Sequence, residues 1–120
     1  MTEIAQYGPS KTKSINIKNF LEETAVAGDL TSKVVDIFYQ EIVALHLIWS
    51  STLDADVKLY LSNDGEDWVE DTLTVITGPS GSAGNSMSEV STAARYIKLE
   101  VTHNAGSGDL TIHLNAKSLG

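Results

Sequence analysis

Residues 56–68, with the sequence DVKLYLSNDGEDW, decide the fold class of this chain. The apolar residues of the first half occupy alternate positions: Val57, Leu59 and Leu61. This is the period-two pattern of a half-buried β-strand. Residues 63–65, Asn-Asp-Gly, follow at once and predict a tight turn, because glycine accepts positive φ and short polar side chains cap local N–H groups. Trp68 then returns to the core, which completes a unit typical of a β-sandwich.

The composition is that of one ordinary globular domain. The chain has 120 residues, of which 42% are hydrophobic and 20% charged, and it contains no cysteine. It can therefore bury a core without metal, and it has no disulfide framework, thiolate metal site or cysteine nucleophile. Residues 1–6 lack the features of a signal peptide, and the apolar run 42–49 is too short to cross a bilayer. We expect synthesis in the cytoplasm.

The charge of the chain argues against two classes of partner. The net charge is −8 and the basic residues are scattered, so neither a nucleic acid nor an anionic membrane is expected to bind. The acidic residues concentrate in one part of the sequence: Asp54, Asp56, Asp64, Glu66, Asp67, Glu70 and Asp71. We interpret them as solvated turns and an outer strand face that keep the protein soluble.

The rest of the sequence predicts strand after strand. Residues 1–13 are polar and without period, which predicts an N-terminal arm, and residues 14–120 form the predicted β-sandwich domain. Alternating or apolar segments predict strands at 14–18, 33–39, 42–50, 57–62, 72–77, 95–102 and 110–116. Segment 42–50 is almost continuously apolar, as expected of a central strand covered on both sides. The fold class predicted is all-β, an antiparallel, jelly-roll-like β-sandwich.

Two segments do not show a strand pattern. Residues 20–28 have a brief helical pattern that predicts either a single helical turn or an open loop. Residues 78–88, rich in Gly and Ser, predict a flexible loop that is functional or becomes ordered on assembly. The predicted core consists of Ile37, Leu45, Leu47, Trp49, Leu59, Leu61, Ile97, Leu99, Ile112 and Leu114.

The sequence offers no catalytic constellation. His46 lies on an apolar strand and is predicted to be a hydrogen-bonded, partly buried side chain, whereas His113 should face solvent and His103 adjoins a turn. None has a Glu or His partner at the spacing of a metal site. There is no Gly-x-Ser-x-Gly elbow, and the 78–82 loop has no phosphate-binding lysine. We therefore predict no catalytic, cofactor-binding or metal-binding residue, no cofactor, and no enzyme activity.

Two surface features leave open whether the protein binds a ligand. Residues 63–67 cluster the oxygen atoms that Ca²⁺ prefers, with Asp54 and Asp56 at the other end of the strand, but the EF-hand pattern is not matched and a capped turn is the favoured interpretation. Tyr60 and Tyr96 point from outer strand faces, where they would stack on sugars, pack at subunit interfaces or cover the sheet.

Two segments carry a resemblance to a known family. Residues 59–68, LYLSNDGEDW, and residues 94–101, ARYIKLEV, resemble the S-x-D-G-x-x-W … A-R-Y-[IV]-[RK]-L pattern of discoidin-like (galactose-binding-like) jelly-roll domains. The pattern is also that of small β-sandwich proteins of tailed-phage virions. The resemblance extends from about residue 42 to the C-terminus. The chain departs from secreted discoidin domains in having no cysteine pair, and we expect neither a signal peptide nor an appended catalytic domain.

This resemblance implies a non-enzymatic structural protein of a phage virion, such as a capsid decoration, head or neck/tail accessory protein. Its partners would be copies of itself, for example in a trimer, and other virion proteins contacted through the arm. Its location would be the virion. The alternative left open is a carbohydrate-binding module or adhesin domain that binds a glycan through loops at one end of the sandwich.

Overall fold

A computed structural model describes residues 14–38 and 40–118. The predicted arm over residues 1–13 lies outside these residues, as does Tyr39. The described residues form strands only: β1 Ser14–Glu23, β2 Leu30–Thr31, β3 Val35–Asp36, β4 Ile42–Trp49, β5 Asp54–Ser62, β6 Val69–Glu70, β7 Gly84–Ser91, β8 Tyr96–Ala105 and β9 Leu110–Lys117. Within this part of the chain there is no helix that could span a membrane.

The strands form two antiparallel sheets, as predicted. The four-stranded sheet has the order β1-β9-β4-β7. The five-stranded sheet has the order β2-β8-β5-β6, and β3 also pairs with β8. Except for β5 and β6, neighbouring strands in each sheet are not consecutive in the chain, as in a jelly roll. The inner faces of the two sheets enclose one hydrophobic core.

The predicted core is confirmed with one adjustment. Nine of the ten residues are buried, while Leu61 is only partly buried and packs against the rim of the core. Phe20, Val26 and Leu53 are fully buried as well, although the sequence pattern did not mark them. These residues lie outside regular alternation, so their inward orientation depends on tertiary packing.

Segment 20–28 is partly strand, which corrects the expectation of a helical turn or loop. β1 continues to Glu23 after a register shift between Ile17 and Leu21. Asn19 adopts φ 56° in this irregularity. The bulge changes the parity of the strand, so both Phe20 and Leu21 face the core. A local pattern with two consecutive inward residues looks helical in the sequence.

Segment 72–77 is not a strand, and that prediction is wrong. Leu73 is 94% exposed and Val75 is 83% exposed. The Asp71 carboxylate accepts hydrogen bonds from the N–H groups of Leu73 at 3.0 Å and Thr74 at 3.3 Å. Asp71 also accepts the Thr74 hydroxyl at 2.7 Å. These side-chain bonds compete with a strand ladder, and they outweigh the β-propensity of the segment.

Segment 78–88 is a loop only in its first half, which corrects the predicted flexible loop. β7 begins at Gly84 and pairs with the whole length of β4. The Trp49 indole N–H donates to the Ser82 carbonyl at 2.7 Å, and a Cβ on Gly84 would lie 3.2 Å from the Trp49 ring. The small residues of this segment therefore allow it to approach the tryptophan and pair with β4.

The central strand β4 is covered on one side only, contrary to the prediction. Its inward residues Val43, Leu45, Leu47 and Trp49 are buried. Its outward residues are partly exposed, and Ile48 reaches 39%. The predicted strand at 33–39 is also shorter than expected, since only Val35–Asp36 pairs with β8.

Candidate functional site

The two segments that carry the family resemblance meet at one end of the sandwich. Ser62 pairs with Tyr96 in the β5–β8 ladder. The Ser62 hydroxyl accepts the N–H groups of Asp64 at 3.2 Å and Gly65 at 2.9 Å, and it donates to the Asp64 carboxylate at 2.9 Å. Gly65 has φ 78°, and a Cβ there would meet the Tyr96 ring at 3.6 Å. The S-x-D-G sequence thus forms the capped turn that the sequence predicts.

The Asp64 carboxylate accepts hydrogen bonds from the backbone of this turn. Asp64 accepts the N–H groups of Asp67 and Glu66, each at 2.8 Å. These bonds stabilise the charged carboxylate and hold the pKa of Asp64 well below its usual range. The side-chain hydrogen bond between Asp67 and Asp64, and secondarily the negative charge of Asp64, raise the pKa of Asp67. The turn is therefore a self-contained hydrogen-bonded unit.

The structure does not bring the other candidate calcium ligands to this turn. Asp54 lies at the opposite end of nine-residue β5, which at about 3.3 Å per residue is roughly 26 Å from Ser62. There its carboxylate accepts the Asn104 side-chain N–H at 3.3 Å. Among the described residues no three His, Asp or Glu side chains are grouped to hold a metal ion.

Arg95 links the turn to the neighbouring strand β3. Its backbone N–H donates to the Asn63 side-chain oxygen at 3.1 Å, and its guanidinium contacts the Asp36 carboxylate at 3.1 Å. The guanidinium carbon also lies 4.9 Å from the centre of the Phe38 ring and 5.2 Å from that of Tyr96. The A-R-Y sequence thus has a structural role in this fold, because it fixes the turn, β3 and β8 together.

Trp68 does not return to the core as predicted, because it is only partly buried and contacts a lysine on the outer side of the five-stranded sheet, as Tyr60 does. The Lys98 ammonium lies 4.6 Å from the centre of the Trp68 ring and 5.9 Å from that of Tyr60. Lys98 also pairs with Glu100 at 3.4 Å. Tyr60 and Tyr96 are both partly buried. The cation occupies ring surface on which a sugar would otherwise stack.

The outer face of the four-stranded sheet brings two histidines together, which the sequence analysis missed. His46 of β4 is paired with His113 of β9, and the ring centres are 6.2 Å apart. The His113 Nδ1 atom accepts the Asn19 N–H at 3.1 Å. Both side chains are partly buried, as predicted for His46. His103 lies elsewhere, with Nε2 2.8 Å from the Gly106 carbonyl.

A shallow hollow of about 350 Å³ lies at this histidine pair. Its lining comes from all four strands of the sheet: Asn16, Lys18, Ala44, His46, Met87, His113, Leu114 and Asn115. Met87 is the cross-strand neighbour of His46 and is 62% exposed. The small side chain of Ala44 leaves the centre of the hollow open.

Fold and surface together define a jelly-roll β-sandwich. The chain is similar to the SPBc2 prophage-derived protein YomS, with 14% identity, a TM-score of 0.62, and coverage of 94% of this chain and 100% of that one. It is similar to a chain in the structure of infectious bursal disease virus Gx strain, with 12% identity and a TM-score of 0.58. That match covers 97% of this chain and 38% of the viral one.

A further similarity is to the CBM22-1 xylan-binding domain from Paenibacillus barcinonensis Xyn10C. The identity is 8% and the TM-score 0.50, over 88% of this chain and 95% of that domain. At such identities these similarities establish the jelly-roll fold. No protein-family model and no curated protein sequence matches the chain.

Proposed function

We propose that this chain is a non-enzymatic structural protein of a phage virion, a capsid decoration, head or neck/tail accessory protein that acts by assembling in copies. The observation that carries the proposal is the apolar surface of a domain whose own core is already complete. Two large apolar side chains, Ile48 of β4 and Met87 of β7, are exposed on the outer face of the four-stranded sheet. Apolar surface of this kind marks sites of association.

Two further features support this proposal. The full-length structural similarity to a prophage-derived protein makes a phage setting a natural one for this fold. Polar side chains that could take part in a reaction are hydrogen-bonded within the structure. Asp64 is bonded in its turn and His113 at the bulge of β1. A role through affinity and packing needs no reactive group.

The test is direct. Particles released by the strain that encodes the chain are purified on a density gradient, and the chain is quantified by mass spectrometry against the major virion proteins. We expect a fixed stoichiometric ratio in the particle fraction and an oligomeric native mass for the purified protein. A chain found only in the soluble fraction would contradict the proposal.

Attachment through residues 2–12 is part of the same proposal. These residues are largely polar, so their deletion should leave the melting temperature nearly unchanged while abolishing incorporation into particles. The matched control replaces the same residues with a Gly/Ser stretch of equal length, which preserves the length and removes the side chains. Normal incorporation of the deleted form would rule out the arm as the attachment device.

The alternative is a carbohydrate-binding module or adhesin domain, which the Trp68 and Tyr60 pair on the five-stranded sheet favours. Lys98 lies against both rings and would have to move before a sugar could stack there. A glycan array with the wild-type chain and Trp68→Ala distinguishes the two functions. Binding that depends on Trp68, in a strictly monomeric protein, would replace the virion proposal with this one.

A further inference from the structure

The outer face of the four-stranded sheet has apolar residues along β4, although most of its other outward positions are polar. Its centre is formed by outward residues of three neighbouring strands: Ile42, Ala44, His46 and Ile48 from β4, Met87 from β7 and His113 from β9. Met87 is 62% exposed and Ile48 39% exposed. Antiparallel sheets that face water normally alternate apolar inward residues with polar outward ones. The β4 sequence instead has the pattern of a strand covered on both faces.

The charges on this face balance, although the chain as a whole is strongly acidic. Lys18 and Glu22 are exposed on β1, Lys117 on β9 and Glu89 on β7. With neutral histidines these charges sum to zero, whereas the chain carries −8. The acidic residues 54–71 lie on β5, on β6 and in the adjoining segments. Two copies can therefore approach through this face with less electrostatic repulsion than the net charge of the chain would produce.

We infer that a second copy of this chain docks here, face to face across a two-fold axis. Lys18 and Glu89 stand on opposite edges of the sheet, three strand spacings or about 14 Å apart across the sheet and two residues or about 7 Å apart along it. A two-fold axis in the plane of the interface, perpendicular to the line that joins them, brings Lys18 of each copy onto Glu89 of the other. The interface is thus self-complementary in charge, as an isologous contact requires.

The apolar centre supplies the buried contact of this interface. Met87 is a flexible thioether suited to filling irregular gaps, and the hollow above Ala44 offers such a gap on the facing copy. Ile48 extends the apolar strip along β4. This inference rests on the proposed assembly function and names the surface through which that assembly begins.

Sedimentation velocity of the purified full chain tests the inference. At pH 7.5 the wild-type protein should dimerise, and Met87→Glu or Ile48→Glu should raise the dimer dissociation constant by about tenfold or more, which corresponds to about 1.4 kcal/mol. Leu73→Glu is the matched control, because Leu73 is 94% exposed and lies off this face. Circular dichroism melting confirms that each variant is folded.

Exchange of the charges at Lys18 and Glu89 provides an independent test of the dimer. Lys18→Glu and Glu89→Lys should each weaken the dimer, and the double exchange should restore it, since the two residues meet only across the two-fold axis.

Three results would overturn the inference: a wild-type monomer at all concentrations, loss of the dimer in Leu73→Glu but not in Met87→Glu, or a double charge exchange that fails to restore association. None of these results would change the outcome expected from the particle experiment. If the chain is present in virions but Met87→Glu leaves the oligomer unaffected, the proposed docking surface is refuted and the virion function is not. A face-dependent dimer absent from particles would refute the virion function alone.

Discussion

Truncation of Leu99 in β8 provides a quantitative test of the sandwich core. Leu99 is fully buried and pairs with Leu59 of β5. Its N–H donates to the Ser32 hydroxyl at 2.8 Å, and its carbonyl accepts the Ser32 N–H at 2.9 Å. Both backbone groups of Leu99 are therefore hydrogen-bonded to Ser32 while β5 flanks the strand on its other side, so the surrounding structure has little freedom to collapse into a cavity.

The expected cost of Leu99→Ala follows from two terms. Removal of roughly three carbon atoms at about 0.8 kcal/mol each gives about 2.4 kcal/mol of lost transfer free energy. A residual cavity of roughly 60 Å³, at about 24 cal/mol per Å³, adds about 1.5 kcal/mol. We expect the free energy of unfolding to fall by about 4 kcal/mol, in the upper half of the usual range.

Urea titration followed by tryptophan fluorescence measures this loss, and an unchanged m-value confirms that only stability has changed. Leu73→Ala is the matched control, because the same truncation at a 94% exposed site should alter stability by at most about 0.5 kcal/mol. Equal losses in the two variants, or a loss below about 1 kcal/mol for Leu99→Ala, would refute the assigned core.

Three other predictions concern the turns and the charged groups. Gly106→Ala should destabilise the protein by about 2 kcal/mol or more, since Gly106 has φ 68° and a Cβ would collide with a backbone carbonyl; Gly28→Ala, in open space, should be nearly neutral in the same thermal melts. Asp64 has a lowered pKa in the folded state, so its stabilising contribution is complete above the ordinary carboxyl value and declines as the pH falls below about 4. The melting-temperature advantage of the wild type over Asp64→Asn should therefore shrink between pH 5 and pH 2.5, and a constant advantage would contradict this. Arg95→Ala should cost about 1–3 kcal/mol because it removes the partner of the largely buried Asp36 carboxylate, and a double-mutant cycle with Asp36→Asn should show that the two losses are not additive.

The long strands could be predicted because their pattern is local. β5, β8 and β9 each alternate inward apolar and outward polar residues, and the structure extends these strands beyond their predicted bounds. β7 could not be predicted, because its Gly, Ser and Asn residues have low strand propensity. Its ladder depends on backbone groups offered by β4, and no residue within β7 encodes that neighbour. Segment 72–77 has a different cause, because its composition favours a strand while local hydrogen bonds to Asp71 compete with one.

The candidate surface was only partly accessible from sequence. His46 and His113 lie on different strands, and their contact depends on the β4–β9 register. A search for ligand spacing along the chain could not find them. The alternation of inward and outward residues in each strand does indicate that each histidine faces outward. This alternation gives the face on which a side chain lies, but the strand order is needed to identify its neighbours.

The two central strands of this molecule differ in a way that carries the argument for assembly. β8 presents outward polar or amphipathic residues: Tyr96, Lys98 and Glu100. β4, in the facing sheet of the same core, presents outward Ile42, Ala44, His46 and Ile48. Both strands bury their inner faces equally well, so the needs of the monomer fold do not explain the difference. The sequence pattern of β4 is that of a strand covered on both faces, but a single chain covers only its inner face. Such a pattern is expected where another molecule covers the outer face.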